Sequence, residues 1–163
     1  MAARQFDKSK WGDGPWLAEP DRVEFMHAGL RCLMQRYHMG SWCGYVGVPP
    51  GHVLHGNTRY DDLPVNVHGG LTYADACHGD ICHDPENTGG VFFSGFGCTH
   101  DVFWFGFDCA HAWDAIPEMS KDSLFSGDVV VYRDEQYVRQ QVESLAKQLA
   151  ALATVKNMEG DAP

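Results

Sequence analysis

The sequence is poor in positive charge and lacks long hydrophobic segments. It contains 12 lysines and arginines against 22 aspartates and glutamates, which gives a formal net charge of −10. Duplex nucleic acid and anionic membrane surfaces attract basic proteins, so neither is expected as a partner. No apolar run approaches the length of about 18 residues that a membrane-spanning helix requires, and no such helix is predicted.

A signal sequence is also missing. The opening residues, MAARQFDKSKWGDGPW, contain no apolar core of the kind that directs secretion. We therefore expect a cytoplasmic protein with free thiols, since the cytoplasm keeps cysteines reduced. The six cysteines are Cys32, Cys43, Cys77, Cys82, Cys98 and Cys109. The string CHGDICH adds His78 and His83 to two of these cysteines, but four ligands on one short loop do not make a structural zinc site, and a polar loop is expected there.

The chain has no internal repeat and no long linker. Its 163 residues are 44% hydrophobic and 12% aromatic, enough for one domain with a sizeable core. We expect a loose leader over residues 1–20, in which Trp11 and Trp16 tuck against the body. A single α+β domain should follow over residues 21–155, and a flexible tail over residues 156–163.

Residues 22–48 have the pattern of an antiparallel meander. Three short runs, RVEFMHAG, LRCLMQRY and SWCGYVGV, are separated by Gly29 and Gly40. Turn glycines between β-rich runs indicate hairpins. A helix from Val23 to Met39 is the alternative, because arginine, leucine, methionine and glutamine favour helices. Since Gly29 would weaken a helix interior by about 1 kcal/mol, strands are preferred.

The next predicted strands are VNVHGGLTYA and DVFWFGFDC, with VFFSGF between them. Side chains alternate between the faces of a strand. In the first string, Val65 and Val67 should face one way and His68 the other. In the last, the phenylalanines at 103, 105 and 107 should share one face, with Trp104 and Asp108 on the opposite one. His68 and Asp108 are therefore predicted to enter one pocket, with His111 and Trp104 at its edge.

The C-terminal region predicts one long helix. From Asp134 to Leu152 the apolar residues recur at intervals of four, three, four and three, which is typical of a single helical stripe. The stripe consists of Val138, Val142, Leu145, Leu149 and Leu152. Asp134 is a suitable N-cap. Because the phenylalanine face of the sheet can cover this stripe, the predicted fold is α+β: a largely antiparallel sheet with one long C-terminal helix packed on one face.

Several strings resemble a family of small proteins encoded in phage and prophage genomes. They are WCGYVGVPPGH, VHGGLTY, WFGFDCAHAWD and YRDEQYV, and the similarity extends from about residue 20 to residue 150. The chain differs from the family pattern after PPGH, where Val53, Leu54 and His55 follow. The resemblance implies a phage-type context, and hence the cytoplasm of a host cell, but it implies no activity.

Asp108, His111 and Asp114 stand three residues apart where the apolar string VFWFGF ends. Together with His68 they could ligate a divalent metal, since carboxylate and imidazole suit zinc, manganese or iron. A bound metal would lower the pKa of its water and generate a hydroxide nucleophile. A polar turn at a strand end uses the same residue types, and the spacing alone does not separate the two interpretations.

A non-metal ligand site is the other interpretation of these residues. Gly69 and Gly70, next to His68, allow close approach of backbone amides to a phosphate or carbonyl, although a β-bulge also uses paired glycines. Three aromatic residues could stack on a base or sugar, or belong to the core: Trp42, Tyr45 and Trp104.

The sequence thus favours a small-ligand-binding protein of phage type, one that sequesters a nucleotide-derived immune signal of the host. The alternative is a metal-dependent hydrolase that uses His68, Asp108, His111 and Asp114. A third interpretation is an interaction protein whose helix docks a partner. Whether the protein is an enzyme, which ligand it takes and whether it forms a homo-oligomer are left open by the sequence.

Overall fold

One antiparallel β-sheet forms the centre of the molecule. A computed structural model describes residues 5–78, 81, 101–119 and 129–159, with side chains up to residue 153. Within these ranges there are five strands: β1 (Arg22–His27), β2 (Leu30–Arg36), β3 (Trp42–Val48), β4 (Tyr73–Ala76) and β5 (Phe103–Asp108). Their order across the sheet is β1-β2-β3-β5-β4, and every neighbouring pair is antiparallel.

The predicted meander over residues 22–48 is confirmed. Strands β1, β2 and β3 pair in sequence, and the turns between them contain Gly29 and Gly40 with φ angles of +76° and +101°. Glycine adopts such positive φ angles at little cost, whereas a helix excludes them. The alternative of a helix from Val23 to Met39 is therefore wrong.

A single long helix, α1 (Glu135–Glu159), follows the sheet. Its N-cap is Asp134, as predicted, because the Asp134 carboxylate accepts a hydrogen bond of 2.8 Å from the Tyr137 backbone N–H. Short 3-10 turns lie at Lys8–Lys10, Pro15–Leu17 and Tyr60–Asp62. No helix in the described ranges is long and apolar enough to cross a bilayer.

The apolar stripe of α1 packs on one face of the sheet. Val138, Val142, Leu145 and Leu149 are all fully buried. They form one cluster with the phenylalanines of β5, which the strand alternation had placed on this face. The fold is therefore α+β, with the helix on the predicted face.

Glycine at position 44 sets how closely α1 approaches the sheet. A Cβ atom added to Gly44 in β3 would lie 2.5 Å from a methyl carbon of Val142 and 2.6 Å from the ring of Phe107. Both distances are too short for carbon atoms in contact. The helix and the β5 phenylalanine ring thus occupy the space that a side chain at this position would fill.

The opposite face of the sheet is also buried. It carries a second apolar cluster, made of Leu33, Cys43, Tyr45, Val102 and Trp104. Trp104 and Leu33 are completely inaccessible to solvent. In the described part of the chain, this face is therefore core rather than the wall of an open pocket.

The predicted leader is fixed to the body in its described part. Trp11 and Trp16 are buried, and Trp16 meets Tyr132 edge to face with 5.0 Å between ring centroids. The tryptophans thus pack as the sequence suggested. The boundaries at residues 20 and 155 stay a prediction.

Glu19 connects this N-terminal segment to the sheet and the helix. Its carboxylate accepts hydrogen bonds from Arg36 in β2, Trp42 in β3 and the Tyr132 hydroxyl, and from the Glu135 backbone N–H at the start of α1. Burial by itself raises the pKa of Glu19, but these donors outweigh burial and hold the pKa below its ordinary value. The carboxylate is therefore ionised in the folded protein at neutral pH.

The prediction of six free thiols is wrong at Cys77, which is disulfide-bonded. Cys32, Cys43 and Cys109 are free and buried. Burial raises the pKa of the Cys32 and Cys43 thiols to about 12, which keeps both protonated and unreactive. Because disulfides persist mainly in oxidising surroundings, Cys77 weakens the reasoning that led to a cytoplasmic location.

Two other sequence predictions concern residues outside the described ranges. The strand VFFSGF lies there entirely, and so do Cys82 and His83 of the CHGDICH loop.

Replacing Leu145 by alanine should destabilise the protein by about 2–5 kcal/mol, because the substitution leaves a cavity between α1 and the sheet. Urea denaturation of the two proteins measures this difference. As a control, the half-exposed Leu17→Ala should change the free energy of unfolding by less than about 0.5 kcal/mol. Equal effects of both substitutions would contradict the described packing.

Glu19→Gln should reduce the stability that the protein loses when the pH is lowered. The folded protein holds the pKa of Glu19 below 4.5, its ordinary value, so the ionised carboxylate stabilises the fold above that pH. This contribution is lost as the pH falls through the lower pKa of the folded state. The difference in melting temperature between wild type and Glu19→Gln should therefore be largest near pH 7 and should shrink below about pH 4.5. A difference that stays constant down to pH 3, or one equally present in the exposed control Glu118→Gln, would contradict this role.

Candidate metal centre

The turn that carries His68 is held by the helix rather than by the sheet. Gln141 of α1 accepts a hydrogen bond of 2.9 Å from the His68 backbone N–H. The Gln148 side chain bonds both backbone groups of Asn66, accepting at 2.7 Å and donating at 2.8 Å. The predicted strand VNVHGGLTYA is thus wrong over residues 65–72, and β4 begins only at Tyr73. Side-chain amides of α1 take the place of a neighbouring strand.

Gly69 and Gly70 complete this turn with φ angles of +67° and +84°. The Gly70 N–H donates to the Val67 carbonyl at 2.9 Å, which closes the turn and reverses the chain. Both residues therefore need glycine for the backbone conformation, and the structure gives them a turn rather than a bulge.

Asp114 belongs to the segment that follows β5. The Asp114 backbone N–H donates to the His111 carbonyl, and Asp114 forms an isolated parallel β-bridge with Val131. The bridge holds residues 113–115 beside the segment that leads into α1. The side chain of Asp114 is fully buried.

Two histidines converge on this buried carboxylate. His68 Nε2 lies 2.8 Å from Asp114 Oδ2, and His111 Nδ1 lies 3.2 Å from the same oxygen. The two imidazole rings meet edge to face with 5.2 Å between centroids. All three ligand atoms lie within 4.8 Å of one another, so turn 65–70 and the segment after β5 form one cluster. We call His68, His111 and Asp114 the triad.

Arg133 balances the charge of Asp114. Its Nε donates to Asp114 Oδ1 at 2.9 Å, and the His111 backbone N–H donates to Oδ2 at 3.1 Å. Burial tends to raise the pKa of Asp114, but the bonds from Arg133, His68 and the His111 amide overcome it and lower the pKa from 3.8. The carboxylate is therefore ionised at neutral pH, which is the state in which it binds metal.

The second nitrogen of His68 also has a partner. His68 Nδ1 lies 2.9 Å from the hydroxyl oxygen of Tyr137, on the first turn of α1. As the side chains stand, Nε2–H donates to the ionised Asp114 carboxylate. A metal bound at Nε2 would replace that hydrogen, and Nδ1–H would then donate to the Tyr137 hydroxyl. Histidines that ligate metals use their other nitrogen in this way, which fixes both the tautomer and the ring.

His111 is positioned by a glycine and a tryptophan. A Cβ atom added to Gly69 would come within 2.0–2.8 Å of three ring atoms of His111, so this imidazole lies directly against the glycine backbone. The ring of Trp113 stacks on His111, nearly parallel at 11° and 5.7 Å between centroids. Gly69 thus has a second function besides its backbone conformation: it leaves the space that His111 occupies.

Asp108 does not join the triad. Its carboxylate accepts hydrogen bonds from the Thr72 hydroxyl at 3.0 Å and from the Ala110 backbone N–H at 3.1 Å. It therefore serves the turn after β5. Strand alternation places Asp108 on the same face as Trp104, while His68 contacts Tyr137 and Gln141 of the helix on the other side. The strand alternation from which a shared pocket for His68 and Asp108 was predicted does not apply, because His68 is not part of the sheet, and the shared pocket stays a prediction.

The aromatic residues expected to line a ligand site lie in the core. Trp42 and Trp104 are inaccessible to solvent, and Tyr45 is 9% exposed. None of the three can offer a ring face to a ligand in this structure. Of the aromatics near the triad, Trp113 is the exposed one, at 54%.

Sequence reasoning missed Arg133, Tyr137 and Gln141. A signal for two of them was present in α1, directly beside the apolar stripe. Tyr137, Gln141, Ser144 and Gln148 repeat at intervals of four, three and four, one residue ahead of the buried positions. Such a polar stripe at the edge of a core predicts contacts with a neighbouring segment.

The triad has the donor set of a transition-metal site. Zinc bonds of about 2.0–2.2 Å to nitrogen and oxygen place neighbouring ligand atoms roughly 3.4 Å apart in a tetrahedron. The separations of 2.8 and 3.2 Å are hydrogen-bond distances and are shorter than this edge, so a bound ion would replace these hydrogen bonds and move the groups slightly apart. Two imidazoles and one carboxylate also leave a coordination position for water or substrate.

Comparison with known proteins provides no family for the chain. No protein-family model matches it, and neither a curated protein nor a solved structure is significantly similar to it.

Proposed function

We propose that the protein is a metal-dependent hydrolase whose divalent ion, zinc in the first instance, is bound by His68, His111 and Asp114. The observation that supports this most directly is the convergence of one carboxylate and two imidazole nitrogens within 4.8 Å. This is the earlier hydrolase hypothesis with one change, because Asp108 is no longer a ligand.

The groups around the triad support a metal more than a simple polar turn. His68 is oriented by Tyr137, and Asp114 is oriented by Arg133 through its other oxygen. Metal sites use such partners to fix the ligands and tune their basicity. A simple polar turn would need neither a second histidine bonded to Asp114 Oδ2 nor an arginine bonded to Asp114 Oδ1.

The chemistry follows from three protein ligands. A divalent ion held by three side chains can bind water and lower its pKa to about 7, so that hydroxide forms near neutral pH. The side chain of His111 is 21% exposed while those of His68 and Asp114 are buried, so a substrate would approach from the His111 side.

The small-ligand interpretation draws less support. Its expected stacking residues, Trp42 and Trp104, are buried, and Asp108 bonds Thr72 and Ala110 instead of the triad. Sequestration of a nucleotide-derived host signal, the phage context, the host cytoplasm and homo-oligomer formation all stay predictions from the sequence.

Zinc binding tests the proposal directly. Purified protein incubated with zinc and then desalted should retain one ion per chain in elemental analysis. His68→Ala, His111→Ala and Asp114→Asn should each lose it, because each removes one of three ligands. The matched controls Asp108→Asn and His38→Ala should retain it, since both residues lie outside the triad.

Folding is checked on the same samples by circular dichroism, because Asp114 is buried. A folded wild-type protein that binds no zinc would refute the proposal, and so would equal loss in Asp108→Asn and Asp114→Asn. Zinc-loaded wild type should also hydrolyse p-nitrophenyl acetate faster than the chelated protein and faster than His68→Ala. Equal rates in all three would remove the hydrolytic part of the proposal.

Tyr137→Phe should weaken zinc binding by about 10–100-fold while the fold stays intact, because His68 loses the partner of its Nδ1. Competition with a chromophoric chelator measures this affinity. The control Tyr37→Phe removes an exposed hydroxyl far from the triad in sequence and should leave the affinity unchanged. An affinity within twofold of wild type in Tyr137→Phe would show that this hydroxyl does not orient the ligand.

A further inference from the structure

Arg133 has hydrogen-bonding capacity that the triad does not use. Its Nε is bonded to Asp114, and its guanidinium carbon lies 4.9 Å from the ring centroid of Tyr137. Among the described residues, none accepts a hydrogen bond from its two terminal Nη atoms. The side chain is 21% exposed, the same fraction as that of His111. A guanidinium edge therefore reaches solvent beside the metal ligands.

Trp113 provides an apolar surface at the same place. One ring face rests on His111, and the residue is 54% exposed, so the outer face is open to solvent. The Val131 N–H donates to the Trp113 carbonyl at 3.0 Å, and this contact joins the tryptophan segment to the segment that carries Arg133. The indole and the guanidinium thus flank the triad from adjoining backbone segments.

The charge of the surface formed by the triad and Arg133 favours anionic ligands. Asp114 already balances Arg133, so the charge of a bound divalent ion would be left uncompensated by the triad. The whole chain carries a formal charge of −10, which makes a local positive site unusual on it. Arginine forks bind phosphate oxygens in pairs of hydrogen bonds, and metal ions stabilise the same oxygens during transfer or hydrolysis.

We infer that the substrate is a phosphate ester that carries a planar ring, with its phosphate bound between the triad metal and the Nη atoms of Arg133 and its ring stacked on the outer face of Trp113. This inference rests on the proposed hydrolase function. The ester is a monoester: hydrolysis adds water across the bond between phosphorus and the ester oxygen, so the products are an alcohol and inorganic phosphate.

Binding of adenosine 5′-monophosphate to the zinc-loaded protein tests the inference. Calorimetry should show this probe binding at least tenfold more tightly than either inorganic phosphate or adenosine alone, because it uses both surfaces. Trp113→Ala should weaken binding of the probe roughly tenfold more than binding of inorganic phosphate, the size of a lost stacking contact, because loss of the ring that packs on His111 affects both ligands alike. Trp113→Phe, which keeps a ring, should restore most of the loss.

Arg133→Lys separates the phosphate contact from the ring contact. It keeps the positive charge but loses the fork, so binding of adenosine 5′-monophosphate and of inorganic phosphate should fall by the same factor. Zinc content is measured for each variant beforehand, and release of phosphate is followed in the same samples.

The outcomes distinguish the two proposals. Absence of zinc from the wild type refutes the hydrolase and this inference with it. Zinc-loaded wild type that binds neither inorganic phosphate nor adenosine 5′-monophosphate refutes the substrate class alone. Equal loss of both ligands in Trp113→Ala refutes the stacking of the ring.

Discussion

Close packing of α1 on β3 is the contact on which the rest of the structure depends. The absence of a side chain at Gly44 lets the helix approach until Val142 fills the space above the strand. From that position the helix presents a polar edge beside its apolar stripe. Gln141 and Gln148 bond the backbone of residues 66–68, and Tyr137 bonds His68. The helix is therefore both the cover of the core and the support of the candidate site.

Asp114 is the residue on which the charged groups of the candidate site converge. A buried carboxylate costs free energy unless donors surround it. Here the donors come from three places: His68 in its turn, His111 in the segment after β5, and Arg133 before the helix. Since these segments are far apart in sequence, one ionised carboxylate brings together distant parts of the chain.

Much of the fold could be predicted from local patterns. Turn glycines identified β1 to β3, alternation of phenylalanines identified β5 and its inner face, and spacing identified α1 with its N-cap Asp134. Each of these depends on periodicities that a sequence displays directly.

The site was predicted only in part. His68, His111 and Asp114 were selected as candidate ligands from their residue types and spacing, and the structure brings their side chains together. The error came from assigning His68 to a strand. The backbone of residues 66 and 68 bonds glutamine side chains of a helix more than 70 residues later, and no alternation rule reports such a contact. The link between Asp108 and His68 was drawn from strand alternation, which does not apply to His68.

The glutamine contacts also connect ion binding to the folding equilibrium. His68 can reach Asp114 only while α1 lies on the sheet and holds turn 65–70, so the binding-competent state and the docked helix are one thermodynamic state. An ion present at one hundred times its dissociation constant would add about 2.7 kcal/mol to the stability of that state. Depletion of the ion would remove this stabilisation, so that local opening of the turn would cost less free energy. Amide protons of residues 66 and 68 would then exchange with solvent faster than those in the central strands. The occupancy of the site would thus determine how firmly the helix is held.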